Sequence, residues 1–306
     1  MTDRPLDSDW VGRKPLAWSL VSIVLFWLPG GAARAQVAGP STPALYDVGN
    51  GRGRSRSPTS TATGARPHLH GLATGDFDVD GWPDVAVDSS KTREVRVLRG
   101  GPRGPAAAVP VPVGTMPYFR LGVGDVIGGK HPDVLVPGHG DNTVRAVGLE
   151  RGLLRSPTWN IALQGQPWMV VACDPNRDGR DDLVVVESDA ISVWRAGAGG
   201  FAPAPGSPFA VRGATEAAVG DLDGDGAADV AIGPWDGDEV TVLRGGAGPA
   251  RRIRVCERPI GLAIADLDGD GRGELMATCA TTNRPAVTSV SADHSRVASG
   301  PQGVGE

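Results

Sequence analysis

The chain has 306 residues and a formal net charge of −5, with 45 glycines and 26 prolines, so about a quarter of it is turn-forming. That share approaches a low-complexity level, but here it falls at regular positions between Val-, Ile- and Leu-rich runs, which points to many short strands. An acidic chain whose carboxylates are gathered in repeated loops is a poor nucleic-acid binder.

Taken in order, residues 1–14 end in Gly12-Arg13-Lys14, Pro15 to Leu28 is largely apolar, and Ala33-Arg34-Ala35 follows a Pro29-Gly30-Gly31 break. A basic flank, a short apolar stretch and an A-x-A site are the parts of a secretory signal peptide. The stretch is shorter than the roughly 18 residues of a membrane span. The expectation is a signal peptide over 1–35, no membrane span after cleavage, and a secreted, periplasmic or cell-surface location; an uncleaved anchor is the rival. Within 36–66, Ala44 to Val48 reads as a short strand and Gly49 to Arg66 as a solvated linker.

Residues 67–300 repeat, and 301–306 form a short tail. Four nine-residue loops share carboxylates or amides at positions 1, 3, 5 and 9 and a glycine at position 6. They are Asp76, Asp78, Asp80 and Asp84; Asp174, Asn176, Asp178 and Asp182; Asp221, Asp223, Asp225 and Asp229; and Asp266, Asp268, Asp270 and Glu274. A degenerate copy at Asp125 keeps Asp133 but has Ile127 and Gly129 at the middle positions. The five copies start at 76, 125, 174, 221 and 266, a spacing of 45 to 49 residues. Crowded oxygen ligands on a flexible turn call for a hard cation, Ca²⁺ before Mg²⁺.

Each repeat has the same internal order. A short run ends in a small residue (Gly75, Gly124, Cys173, Gly220, Ala265), then come the loop, an apolar run such as Val85-Ala86-Val87, a polar turn, a period-2 strand and a Gly-rich turn. Four short strands per repeat of about 47 residues is the blade of a β-propeller. The fold expected is all-β, a propeller of about five four-stranded blades, with Ala44 to Val48 completing the last blade and closing the ring.

The D-x-[DN]-x-D-G-x-x-[DE] loops, the D-V-A-V, D-L-V-V-V and D-V-A-I-G strands, and the V-x-V-L-R-G-G tail at Val95 to Gly101 and Val240 to Gly246 resemble the FG-GAP/VCBS repeats, whose blades are similar to those of the integrin α-subunit propeller. The resemblance implies Ca²⁺ in the strand 1–strand 2 loops, with the position-7 carbonyls of Trp82, Arg180, Ala227 and Arg272 as further ligands. It implies no single activity, since the family serves adhesion modules and enzyme accessory domains alike.

No catalytic motif stands out. His68 and His70 lack a third ligand, and Asp236-Gly237-Asp238-Glu239 reads as a polar turn. If the calcium loops lie at one end of the strands, the 2–3 turns and 4–1 connections gather at the other, bringing Tyr118, Trp168, Trp235, Arg212, Arg258, His139 and Asp141 together. Such residues either form a binding surface or wedge between blades. The first functional reading is a non-enzymatic, calcium-binding adhesion module for a protein or glycan; the alternative is an extracytoplasmic enzyme acting on polysaccharide. Of the three cysteines, Cys173 occupies a buried slot, while Cys256 and Cys279 end at one face in neighbouring blades, either bridged or as two free thiols.

Overall fold

In the computed structural model, residues 69–128, 131–150, 153–280 and 285–289 are described. The chain divides into Met1–Gly39 and Pro40–Glu306, and every described residue belongs to the second unit. The signal peptide, the Ala44 to Val48 strand, the linker and the 301–306 tail lie outside the described residues.

The described residues form five antiparallel sheets and no α-helix. The first holds β1 (Leu72–Gly75), β2 (Asp84–Ser89), β3 (Glu94–Leu98) and β4 (Val109–Pro112). The second holds β5 (Gly122–Gly124), β6 (Asp133–Gly138), β7 (Thr143–Glu150) and β8 (Leu153–Ala162). The third comprises β9 (Pro167–Cys173), β10 (Asp182–Glu187), β11 (Ala190–Gly197) and β12 (Gly200–Pro203), with β13 (Phe209–Ala210) also paired to β11. The fourth holds β14 (Ala214–Gly220), β15 (Asp229–Pro234), β16 (Glu239–Leu243) and β17 (Ala250–Arg254). The fifth has three strands among the described residues, β18 (Pro259–Ala265), β19 (Glu274–Cys279) and β20 (Pro285–Ser289).

This is a propeller-like order: neighbouring strands in sequence pair within each sheet, and the first strands of successive sheets lie side by side, β1 on β5, β5 on β9, β9 on β14 and β14 on β18. Among the described residues no strand pairing joins the fifth sheet to the first. Ala44 to Val48, expected to close the ring, falls outside the described residues.

Four apolar cores fill the spaces between consecutive sheets. Alternation along the second strands feeds them. Val134 and Val136 point into the core shared with the first sheet, whereas Leu135 points into the one shared with the third. Leu183 and Val185 turn back toward the second sheet, Val184 and Val186 forward to the fourth. A strand buried on both faces needs a continuous apolar run, which is why these segments show no polar alternation.

Close approach of the first strands explains their small residues. A Cβ on Gly124 would sit 2.3 Å from the Ala172 Cβ, and one on Gly220 2.5 Å from Ile264 Cγ2. Cys173, in the same slot, is buried and free, and burial pushes its thiol pKa well up. Cys256 and Cys279 are bridged, with Cα atoms 5.9 Å apart, joining the connection after β17 to the last residue of β19. The bridge resolves the alternative that spacing left open.

Candidate metal centres

All four complete loops connect the first and second strands of a sheet, and their internal wiring is the same. The position-1 carboxylate spans the turn: Asp76 accepts from the N–H groups of Asp80 and Gly81, at 3.1 and 2.9 Å. Asp174 and Asp221 do the same for their own loops, while Asp266 accepts from Gly269 and Gly271, one residue earlier at its first donor. The position-5 carboxylate accepts from position 7: Asp80 from Trp82, Asp178 from Arg180, Asp225 from Ala227 and Asp270 from Arg272. These bonds hold the position-7 backbone inside the loop, where its carbonyl was expected to serve. Position 6 is glycine at φ +80 to +88° in each (Gly81, Gly179, Gly226, Gly271). Position 4 is left-handed as well, and in two loops it is not glycine: Val79 has φ 59° and Arg177 φ 61°.

The position-9 carboxylates, expected as ligands, have a second role that the motif does not announce. Asp84 is fully buried; one oxygen accepts from Phe77 N–H at 2.9 Å and the other from Gly100 N–H at 2.7 Å. Asp229 likewise accepts from Leu222 and Gly245. Asp182 takes the N–H of Ala196 and the amide of Asn176, and Glu274 takes Leu267 N–H. These residues clamp the loop to its sheet. Burial raises the pKa of Asp84, Asp182 and Asp229 above the usual carboxylate range, against the backbone bonds that lower it.

Three groups bring ligand atoms within 4.8 Å of one another: Asp76, Asp78 and Asp84; Asp221, Asp223 and Asp225; Asp266, Asp268 and Glu274. Asp78 Oδ1 is buried without a hydrogen-bond partner, an orphan that a cation would satisfy. The donor set, all oxygen on a turn, fits a hard divalent ion. In the third loop Asn176 turns its amide nitrogen to Asp182, and its carboxylates form no such group among the described residues. The second, degenerate loop is braced by protein. Asp133 accepts from Val126 and Ile127, and Asp181 of the third sheet's loop reaches across to accept Asp125 N–H at 3.0 Å.

Residues 174–232 match the family model of the FG-GAP-like repeat. The chain carries an FG-GAP-like repeat. The matched stretch runs from the third loop through the fourth loop into β15, and the first and fifth loops share that wiring. No curated protein matches the chain. Solved structures share the fold at low identity. The virginiamycin B lyase of Staphylococcus aureus is 12% identical with a TM-score of 0.51, over 72% of this chain and 66% of that one. BBS1N, solved in complex with ARL6DN, is 14% identical with a TM-score of 0.52, over 71% and 64%. A candidate 6-phosphogluconolactonase of Bacteroides fragilis NCTC 9343 is 13% identical with a TM-score of 0.55, over 77% and 69%. The chain spans just under two thirds of the length of the first two.

At the opposite ends of the strands, the expected loop residues gather as two groups. Tyr118 lies between His70 and His139 in tilted contacts, with ring centroids 4.2 and 5.0 Å away, and Trp168 lies 4.8 Å from His139. Phe119, at φ 79°, meets Trp168 edge-on. Trp235 stands apart, 53% exposed, with the Arg258 guanidinium 5.3 Å from its ring centroid. Beside it is a cleft of about 870 Å³ lined by Asp236, Asp238, Arg254, Glu257 and Arg258. His70 was not assigned to this surface by sequence; its neighbour Gly71 enters β1 against the Phe119 carbonyl, which brings the ring there. Among the described residues no helix is long and apolar enough to cross a membrane.

Proposed function

We propose that the protein is an exported, calcium-stabilised binding module that holds a protein or glycan ligand on the face opposite its metal loops. Asp76, Asp78, Asp80, Asp84 and the corresponding residues of the third, fourth and fifth loops hold the ions, with the carbonyls of Trp82, Arg180, Ala227 and Arg272. Calcium there neutralises carboxylates that the turns crowd together and ties each first strand to its second. The observation that carries the binding assignment is the concentration of rings and a guanidinium group at this end of the strands, with Tyr118, His139, Trp235 and Arg258 on connections and Trp168 at the start of β9, where it also packs against a core. Aromatic and arginine side chains on rigidly mounted loops are the anchors that binding surfaces use.

Glycan-array and extracellular-protein binding of the full chain, with Ca²⁺ and with EDTA, tests the reading. Binding that is lost on Trp235→Ala with unchanged melting supports it. Ca²⁺ at a hundredfold excess over Kd stabilises the folded state by about 2.7 kcal/mol per site. A melting temperature indifferent to EDTA overturns the calcium assignment, and release of cleaved glycan products would replace the binding module with an enzyme.

A further inference from the structure

Strand register places a residue in or just beyond each third strand opposite the position-9 carboxylate of its own loop. The pairs Val85–Leu98, Leu183–Trp194 and Val230–Leu243 put Arg99, Arg195 and Arg244 in that slot. In the second sheet, whose loop lacks the middle carboxylates, the pair Val134–Val147 puts Gly148 there. In the fifth sheet the slot is Ser289, opposite Glu274. Arginine therefore stands in the three sheets of the first, third and fourth loops and is absent beside the degenerate one.

The guanidinium groups reach the loop carboxylates. Arg244 Nη2 pairs with Oδ2 of Asp223, whose side chain is 1% exposed. Arg99 Nε is 3.7 Å from Asp78 Oδ2 and Arg195 Nη1 is 3.8 Å from Asp182 Oδ2. Asp78 and Asp223 are members of two of the three candidate ion groups. The fourth loop carries further positive charge, since the side chains of Arg177 and Arg272, from the adjacent loops, lie against Gly226 and Gly224.

We propose that Arg99, Arg195 and Arg244 are built-in counter-cations that hold the loop carboxylates when Ca²⁺ is scarce and compete with it when it is present. The inference rests on the calcium assignment above and adds to it an order of filling. A fixed positive charge satisfies part of the carboxylate repulsion, so these loops keep their shape without metal. The same charge opposes a divalent ion arriving at the same oxygens. The fifth loop, with Asp266, Asp268 and Glu274 and no arginine in its slot, fills at the lowest Ca²⁺ concentration. The fourth, flanked by three arginines, fills last.

Calorimetric Ca²⁺ titration of the full chain, with melting in EDTA and in excess Ca²⁺, tests this on Arg244→Gln and Arg99→Gln. Arg212→Gln, on the opposite face, is the charge control. Removing a unit charge a few ångströms from a divalent ion in a water-like dielectric tightens one site roughly tenfold. Each variant should gain that affinity, melt below the wild type in EDTA and recover in Ca²⁺; the control should do none of these. Should Arg244→Gln fail to fold, Arg99→Gln decides, because its pair with Asp78 is looser. Affinity unchanged or weakened in the variants, with the wild type still binding Ca²⁺, overturns the counter-cation role alone. A wild type that takes up no Ca²⁺ overturns the calcium assignment and the competition with it.

Discussion

Replacing Glu216 with glutamine should flatten the stability of the protein against pH. Glu216 on β14 is 4% exposed, and burial lifts its pKa to about 7 against the opposing pull of Arg120, 3.0 Å away. Its ordinary value is 4.5. Between those two values the folded chain keeps a proton that the unfolded chain has lost, so the contribution is complete below 4.5 and disappears as pH rises through about 7. At about 1.4 kcal/mol per pH unit, the loss comes to about 3 kcal/mol. For a domain of this size that corresponds to roughly 6–12 °C in melting temperature. The assay is a set of thermal melts from pH 4.5 to 8 in EDTA, for wild type and Glu216→Gln side by side. The loop carboxylates titrate in both proteins and cancel in the difference. Glutamine should gain on the wild type steadily with rising pH. A constant difference across the range would mean that Glu216 is charged throughout, and the argument from burial would fail.

Other outcomes follow from the same geometry. Cys256→Ser with Cys279→Ser opens a loop of 23 residues, which should cost about 3.4 kcal/mol by chain entropy; denaturant melts that agree within 1 kcal/mol would contradict it. Val79→Asn should stabilise by about 1 kcal/mol, because an exposed β-branched residue sits at φ 59° where asparagine is tolerated; a lower melting temperature would count against strain there. Gly124→Val should cost about 3 kcal/mol or prevent folding, since its first side-chain atom meets Ala172 at 2.3 Å, and wild-type melting would refute the crowding.

Much of this was legible because the decisive signals are local. Carboxylate spacing and the position-6 glycine specify each loop within nine residues, and the double-faced burial of β6 and β10 appears directly as Val134-Leu135-Val136 and Leu183 to Val186. What escaped depends on register or on neighbouring sheets. Arg99 and Arg244 were visible only as part of a repeated tail, because their partners, Asp78 and Asp223, lie across the sheet. Asp181 lies outside the loop's ligand positions, yet it braces the neighbouring sheet's loop. The position-9 residues read as ligands because the motif records which residue recurs and not which backbone groups it clamps. His70 joined Tyr118 through a contact between two connections that no linear pattern encodes.

The bridge between β17 and β19 also decides how the molecule carries load. The fifth sheet leans on its neighbour mainly through β14 and β18, so a pull on the chain beyond β20 would peel strands one hydrogen bond at a time. Tension arriving at Cys279 instead passes through the sulfurs to Cys256, just beyond β17. It then reaches β17, which is paired along its whole length with β16 of the fourth sheet. A pull from the C-terminal side is therefore shared between the fifth and fourth sheets.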